Sequence, residues 1–234
     1  MHFAAADYDT LVFDCDGVIL DSNRIKSAAF RTVTAPFGAE ASTRFLDYHH
    51  RHGGISRNEK FAHFIDAIVA VPVAAADRQR LLDGLLRDYA AICARELLAC
   101  PLIPGVAALL ASIPPHVAAH VVTGGAQSEV RAVFAARGLD SHFASILGSP
   151  TSKRDNMRLL AGAGALRGRG LYFGDAELDM HLAEEFGLEF VFVHGASDWP
   201  DGRARCPHRQ IADFMELDLR EASAGTAAME DGST

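Results

Sequence analysis

Short apolar runs separated by amphipathic stretches are the feature that most restricts how this chain can fold. Residues 10–14 (TLVFD), 116–123 (HVAAHVVT), 144–147, 171–175 (LYFGD) and 189–194 (EFVFVH) are compact runs that end in glycine or polar residues. Runs that stay apolar at consecutive positions belong to strands buried on both faces. Between them, residues 127–137, 153–163 and 177–186 carry apolar side chains three and four apart, the spacing of a helix with one buried face. Strands alternating with helices of this length predict an α/β fold, a doubly wound parallel sheet whose ligands gather at the carboxyl ends of its strands.

One segment breaks the rhythm. From 23 to 99 there is no strand-like run, only helical patterning, including a long Ala/Leu/Arg-rich stretch at 74–98. An all-helical block after the first strand predicts a second, smaller domain at 23–99, inserted into a core made of 1–22 and 100–220. Pro101 and Pro104 suit the return hinge, because proline is poorly tolerated inside a helix. The tail at 221–234 is small and polar and is expected to be mobile. A chain of 234 residues is long enough for this arrangement.

Charge and composition narrow the partners. A formal charge of -8, with no dense Lys/Arg run, argues against nucleic acid, since binding a phosphate backbone needs a basic face. A small anionic substrate needs only a local positive pocket. No run approaches the roughly 18 apolar residues of a membrane span, and MHFAAADYDT lacks the features of a signal peptide, so a cytoplasmic protein is expected. Cys15, Cys93, Cys100 and Cys206 form no CxxC pair and are expected to be reduced and mostly buried.

The residues that carry chemistry sit where the predicted strands end. Asp14 and Asp16, two apart and followed by Gly17, invite a cation or a shared proton. Thr123-Gly124-Gly125 puts a hydroxyl beside backbone N–H groups at a helix start, an arrangement suited to an anion. Lys153 opens a predicted helix, where the dipole disfavours a cation, so an anionic partner is expected. Asp175 and Asp179, four apart, share one helix face and can point at a single hard cation. Each of these has an ordinary alternative in turn or helix capping. Together they bring four carboxylates, a hydroxyl and an ammonium group to one sheet edge, which four independent turn accidents do not explain.

In that order and spacing, DxDGV after the opening strand, a threonine followed by glycines, an isolated lysine and then GDxxxD, the sequence resembles the haloacid dehalogenase-like superfamily over residues 10–179. The helical block resembles the α-helical cap of the subgroup that includes phosphoglycolate phosphatases, β-phosphoglucomutases and phosphonatases. The resemblance implies a Rossmann-like core with an inserted cap, and a magnesium-dependent phosphatase acting on a small phosphorylated metabolite. By the same resemblance Asp14 attacks phosphorus and forms an aspartyl phosphate. Asp16 would act as acid to the leaving oxygen and then as base to water. Mg2+ would be held by Asp14, Asp175 and the backbone carbonyl of Asp16, with Asp179 in or just behind the ligand shell. Thr123, Gly124 and Lys153 would hold the transferring phosphoryl group. An anionic nucleophile approaching a phosphate needs its repulsion cancelled, and a divalent ion with one lysine does so.

Haloacid dehalogenases resemble the chain in fold but lack the second aspartate of the first motif, so Asp16 favours phosphate chemistry. Residues 52–60 (HGGISRNEK) form a polar loop similar to the specificity loop of capped relatives, and Arg57 and Lys60 are expected to contact the rest of the substrate. Ser56-Arg57 resembles the segment with which β-phosphoglucomutases hold a second phosphate. Lys26, where those enzymes usually have histidine, and Gly53, where they usually have lysine, depart from that pattern, leaving a sugar-phosphate mutase as the alternative. A phosphonatase would need a lysine able to form a Schiff base, for which Lys26 and Lys60 are the candidates. A non-catalytic binding module is the remaining reading, disfavoured because every motif residue is present. Only Lys26, Lys60 and Lys153 among the 22 Lys and Arg residues are lysines, and a compact point charge is a reason to keep them. The cluster at 49–52 (HHRH) is expected to be a solvated helix end, since adjacent histidines face different ways and no carboxylate is spaced with them; His52 is the best exception because it abuts the loop. Cys15 is expected to face the core. Trp199 and residues 206–208 receive no role.

Overall fold

A computed structural model describes residues 2–70 and 74–219; the tail at 221–234 lies outside them. Strands β1 (His2–Phe3) and β8 (Asp218–Leu219) pair as a small separate ladder. The main sheet contains β2 (Thr10–Phe13), β3 (Ala118–Ala126), β4 (Ser145–Ser149), β5 (Gly170–Gly174), β6 (Glu189–Val193) and β7 (Arg209–Ile211). Its order is β4-β3-β2-β5-β6-β7 and every pairing is parallel. This is the α/β architecture that the alternating pattern predicts.

The strands are apolar throughout because each feeds two cores. Leu11, Phe13, Val121, Leu171, Phe173, Val191 and Val193 enter one buried cluster, while Val12, Val122, Tyr172, Phe190 and Phe192 enter another. Alternate side chains leave a strand on opposite sides, so a sheet covered on both faces must be apolar at every position. On one side Phe13 stacks on Phe173 with ring centroids 5.0 Å apart, and Phe173 meets Phe214 edge-on at 5.3 Å.

From β2 to Glu96 every described element is helical, the α-helices being α1 (Asn23–Thr34), α2 (Ala39–Arg51), α3 (Arg57–His63) and the long α4 (Ala75–Glu96). Phe30 of α1 centres their packing, with ring centroids 5.2 Å from Phe45, 5.3 Å from Phe61 and 4.3 Å from Tyr89. The other helices are α5 (Val106–Ser112), α6 (Gln127–Ala136), α7 (Lys153–Gly162), α8 (Glu177–Glu185) and α9 (Gly202–Arg205). None in the described residues is long and apolar enough to cross a membrane. All four cysteines are buried and unpaired.

Sequence periodicity misses β1, β7 and β8, whose two or three residues are too short to show a period. It also places one strand at 116–123, whereas β3 starts at Ala118 and runs on to Ala126. The extension passes through a register irregularity between Val122 and Ala126. Gly124 and Gly125 lie within it, and glycine in a strand commonly marks such a departure.

Phe173 is fully buried in this stack. Phe173→Ala should lower unfolding free energy by about 3–5 kcal/mol, read from chemical denaturation, through lost burial and the cavity left behind.

Candidate active site

Four polar residues gather at one edge of the sheet. Asp14 follows β2 directly and its backbone N–H still donates to Phe173 O at 2.9 Å, so the ladder fixes its position. Asp175 follows the neighbouring β5, Lys153 opens α7 beyond β4, and Asp179 lies in the first turn of α8. Lys153 Nζ sits 2.8 Å from Asp14 Oδ2 and 2.6 Å from Asp179 Oδ1, with all three side chains buried. This supplies the anionic partner that a lysine at a helix start requires. Asp179 is in turn held from four directions. Its Oδ1 also accepts the Tyr172 hydroxyl at 3.1 Å, and its Oδ2 accepts the N–H groups of Asp175 and Ala176 at 3.3 and 3.2 Å.

Ligand atoms of Asp14, Asp175 and Asp179 lie within 4.8 Å of one another. One lysine does not balance three buried carboxylates. Burial pushes Asp14 up to about 6, with Asp179 and Asp16 adding to the effect and Lys153 opposing it. Burial, then the charges of Asp14 and Asp179, holds Asp175 well above the usual carboxylate range. Surplus negative charge on an oxygen-only donor set suits a hard divalent cation of the magnesium type better than zinc. Asp175 is oriented by Asn23 Nδ2, which donates to its Oδ2 at 2.6 Å, and by Ser197 Oγ, which donates to its backbone carbonyl at 2.5 Å. Gly17 makes this arrangement physically accessible: its φ is +74°, and an added Cβ would fall 2.3 Å from Asp175 Oδ2.

The carboxylate of Asp16 points elsewhere. It accepts from Ser22 Oγ at 2.5 Å and pairs with Lys26 Nζ. Burial favours its protonated form, but the Lys26 charge and hydrogen bond, with Ser22, outweigh burial and hold Asp16 below the usual range. Thr123 is fully buried, and its hydroxyl accepts the Gly125 N–H at 3.0 Å. Gly124 reaches the cavity wall, and an added Cβ there would lie 2.3 Å from Gly54 O of the loop before α3. The loop therefore closes directly over the ends of the strands.

A partly open cavity of about 280 Å³ lies between this loop, the helices and the sheet edge. Arg57 and Lys60 both reach its wall. Arg57 is tied to Glu129 of α6 by two hydrogen bonds of 2.8 and 2.6 Å. Lys60 Nζ lies 2.6 Å from His49 Nδ1. The expectation of a solvated histidine cluster fails at His49 and holds for the exposed Arg51 and His52. His49 is buried where it lines the cavity, while His52, at the same wall, is exposed and bonds back to Tyr48 O. Packing of α2 against α1 decides this: the Nε2 atoms of His49 and His50 approach Ser27 Oγ of α1 at 3.1 and 3.3 Å, and Ser27 Oγ donates to Asp198 Oδ2 at 3.3 Å. Asp198, far away in sequence, is the carboxylate that local spacing could not reveal. Trp199, given no role from sequence, also lines the cavity, as does Asn23.

A family model described as haloacid dehalogenase-like hydrolase matches residues 11–193. No curated protein matches the chain in sequence. Solved structures share its fold at low identity. One from Haemophilus somnus 129pt, described as a predicted phosphoglycolate phosphatase, has a TM-score of 0.67 at 17% identity, covering 88% of this chain and 95% of its own. A variant of CbbY from Rhodobacter sphaeroides, in complex with xylulose-(1,5)bisphosphate, has a TM-score of 0.71 at 18% identity, covering 91% of this chain and 97% of its own. β-Phosphoglucomutase from Clostridium difficile has a TM-score of 0.66 at 16% identity, covering 88% and 92%.

The carboxylate cluster generates a stability signature. Asp14 is raised from 3.8 to about 6, so its contribution to stability is full below about pH 4 and is lost as pH rises through about 6. In chelator, wild-type protein should lose stability across that window and Asp14→Asn should lose less. Calorimetry with saturating magnesium chloride should then restore the wild type by about 2.7 kcal/mol at a hundredfold excess over the dissociation constant, and leave Asp175→Asn nearly unmoved. A flat wild-type profile that ignores magnesium would contradict the reading of the cluster.

Proposed function

The chain belongs to the haloacid dehalogenase-like hydrolase family, and on that premise we propose that it is a magnesium-dependent phosphatase acting on a small phosphorylated metabolite through an aspartyl phosphate at Asp14. One observation carries this reading: a buried aspartate at a strand end, 2.8 Å from a buried lysine, faces a cleft beside two further carboxylates. The CbbY relative, whose structure holds xylulose-(1,5)bisphosphate, is in keeping with a small phosphorylated ligand.

Asp14 supplies the attacking oxygen, and the backbone ladder of β2 presents it to the cavity without conformational search. Lys153 draws the phosphoryl oxygens towards Asp14 and offsets the charge that accumulates there. Magnesium, held by Asp14, Asp175 and the Asp16 carbonyl, would neutralise charge on the transferring group. Asp179 acts behind this site: its oxygens are taken up by Lys153, Tyr172 and two backbone N–H groups, so it positions Lys153 and the Asp175 loop. Gly124 and Thr123 would place backbone donors against the phosphoryl group. Asp16 would protonate the leaving oxygen and then take a proton from the water that hydrolyses the acyl phosphate. Its ion pair with Lys26 favours the ionised form, the state needed for the second of these steps.

Asp14→Asn should abolish magnesium-dependent phosphate release, by at least roughly a thousandfold in kcat. An amide is a poor nucleophile and a weaker ligand, and near wild-type turnover would sink the mechanism. Asp16→Asn should slow alkyl phosphates by about a hundredfold or more, in the range of a lost acid–base catalyst. Activated aryl phosphates, whose leaving group needs no proton, should lose much less; equal losses on both would remove Asp16 from the acid role.

A further inference from the structure

Four basic side chains are buried or half-buried around the cavity, and three of them have a carboxylate counter-ion. Lys153 has Asp14 and Asp179, Lys26 has Asp16, and Arg57 has Glu129. Lys60 has none at ion-pair distance among the described residues, although it is only 4% exposed. Its partner is the His49 ring at 2.6 Å, and the face of Phe30 lies 5.8 Å from Nζ. His49 cannot serve as an anion, and burial together with Lys60 keeps its own proton affinity well below the usual histidine range. Arg51 also reaches the cavity wall but is exposed, so water can compensate it.

A buried ammonium group without a counter-ion is costly, and a site that keeps one gains most from a ligand that completes the pair. We propose that Lys60 and His49 receive a second acidic group of the substrate, a carboxylate or a second phosphate, on the part that is not transferred to Asp14. The inference rests on the phosphatase reading above and names its substrate class as acidic phosphomonoesters. The geometry divides the labour. Lys153 lies against Asp14 on the sheet side, whereas Lys60 reaches the cavity that Asp14 lines from α3 on the helical side. Arg57 is less available for this purpose because both of its terminal nitrogens already bond Glu129. His49, bonded to Lys60 through Nδ1 and facing Ser27 Oγ through Nε2 at 3.1 Å, acts as a positioning residue for the amine. Burial, then repulsion from Lys26, holds the Lys60 amine down to about 7. The free cavity is thus not forced to hold a full unpaired charge, and an arriving anion favours the protonated amine.

The test compares three substrates of one skeleton in a magnesium-containing phosphate-release assay: glycerol phosphate, phosphoglycerate and glycerol bisphosphate. Wild-type protein should prefer one acidic substrate over glycerol phosphate in kcat/KM, and which one it prefers separates carboxylate from phosphate. Lys60→Met should collapse that preference by roughly ten- to a hundredfold, mainly through KM, as expected for a lost charged hydrogen bond. His49→Gln should reduce it in the same direction by a smaller factor. Lys60→Met removes an unpaired buried charge and is expected to fold, which circular dichroism checks. A wild type with no preference for either acidic substrate overturns the inference. So does a Lys60→Met variant that loses activity on all three substrates in proportion, since that places Lys60 in the chemistry or the shape of the site. Absence of turnover on these three and on an aryl phosphate would instead overturn the phosphatase reading itself.

Discussion

Lys153 cannot be withdrawn from the interior without leaving Asp14 and Asp179 as buried, uncompensated charges, and the surrounding architecture follows from keeping the three together. A buried ion pair returns its desolvation cost only when geometry is good and the remaining lone pairs are satisfied. Both conditions are met through the sheet. β2 fixes Asp14, β5 brings Tyr172 and the backbone N–H of Asp175 to Asp179, and α7 begins where its first residue reaches across to them. The apolar two-faced strands matter to the chemistry for this reason. They make the carboxyl ends of β2 and β5 rigid, and a rigid edge can hold groups that repel one another.

That edge is not electrostatically content by itself. Asp175 and Asp14 are both raised by burial and by mutual repulsion, which is how a site looks when function, rather than stability, selects its charges. Positive charge, such as a divalent cation carries, is what this edge is short of. The side of the cavity formed by the helices is arranged differently. There the charges are paired within the protein, Lys26 with Asp16 and Arg57 with Glu129, apart from Lys60. Pairs such as Arg57–Glu129 link α3 to α6, and the contacts of Ser27, His49 and His50 bring the loop carrying Asp198 against α1 and α2. The Arg57–Glu129 pair is bidentate and mostly shielded from water, the geometry in which an ion pair is strongest. Such ties hold the helices over the strand ends.

The amino-acid sequence by itself determined the sheet and the residues on its edge. Consecutive apolar runs specify strands buried on both faces, and the chain order of DxD, Thr-Gly-Gly, Lys and GDxxxD then places those residues at strand ends, because strand position and strand end are local properties. The unease of a lysine at a helix start was also legible, since a helix dipole is local. Only the tertiary structure decided who answers whom. Asp179 answers Lys153 across 26 positions in sequence, and Asn23 orients Asp175 across 152. Lys26 takes hold of Asp16, while His49, expected in solvent, is buried against Lys60 with Asp198 close by. No spacing rule reaches these partners, because a hydrogen bond depends on distance in space. That distance is set by how helices pack over a sheet, and packing is a property of the whole core, not of any segment.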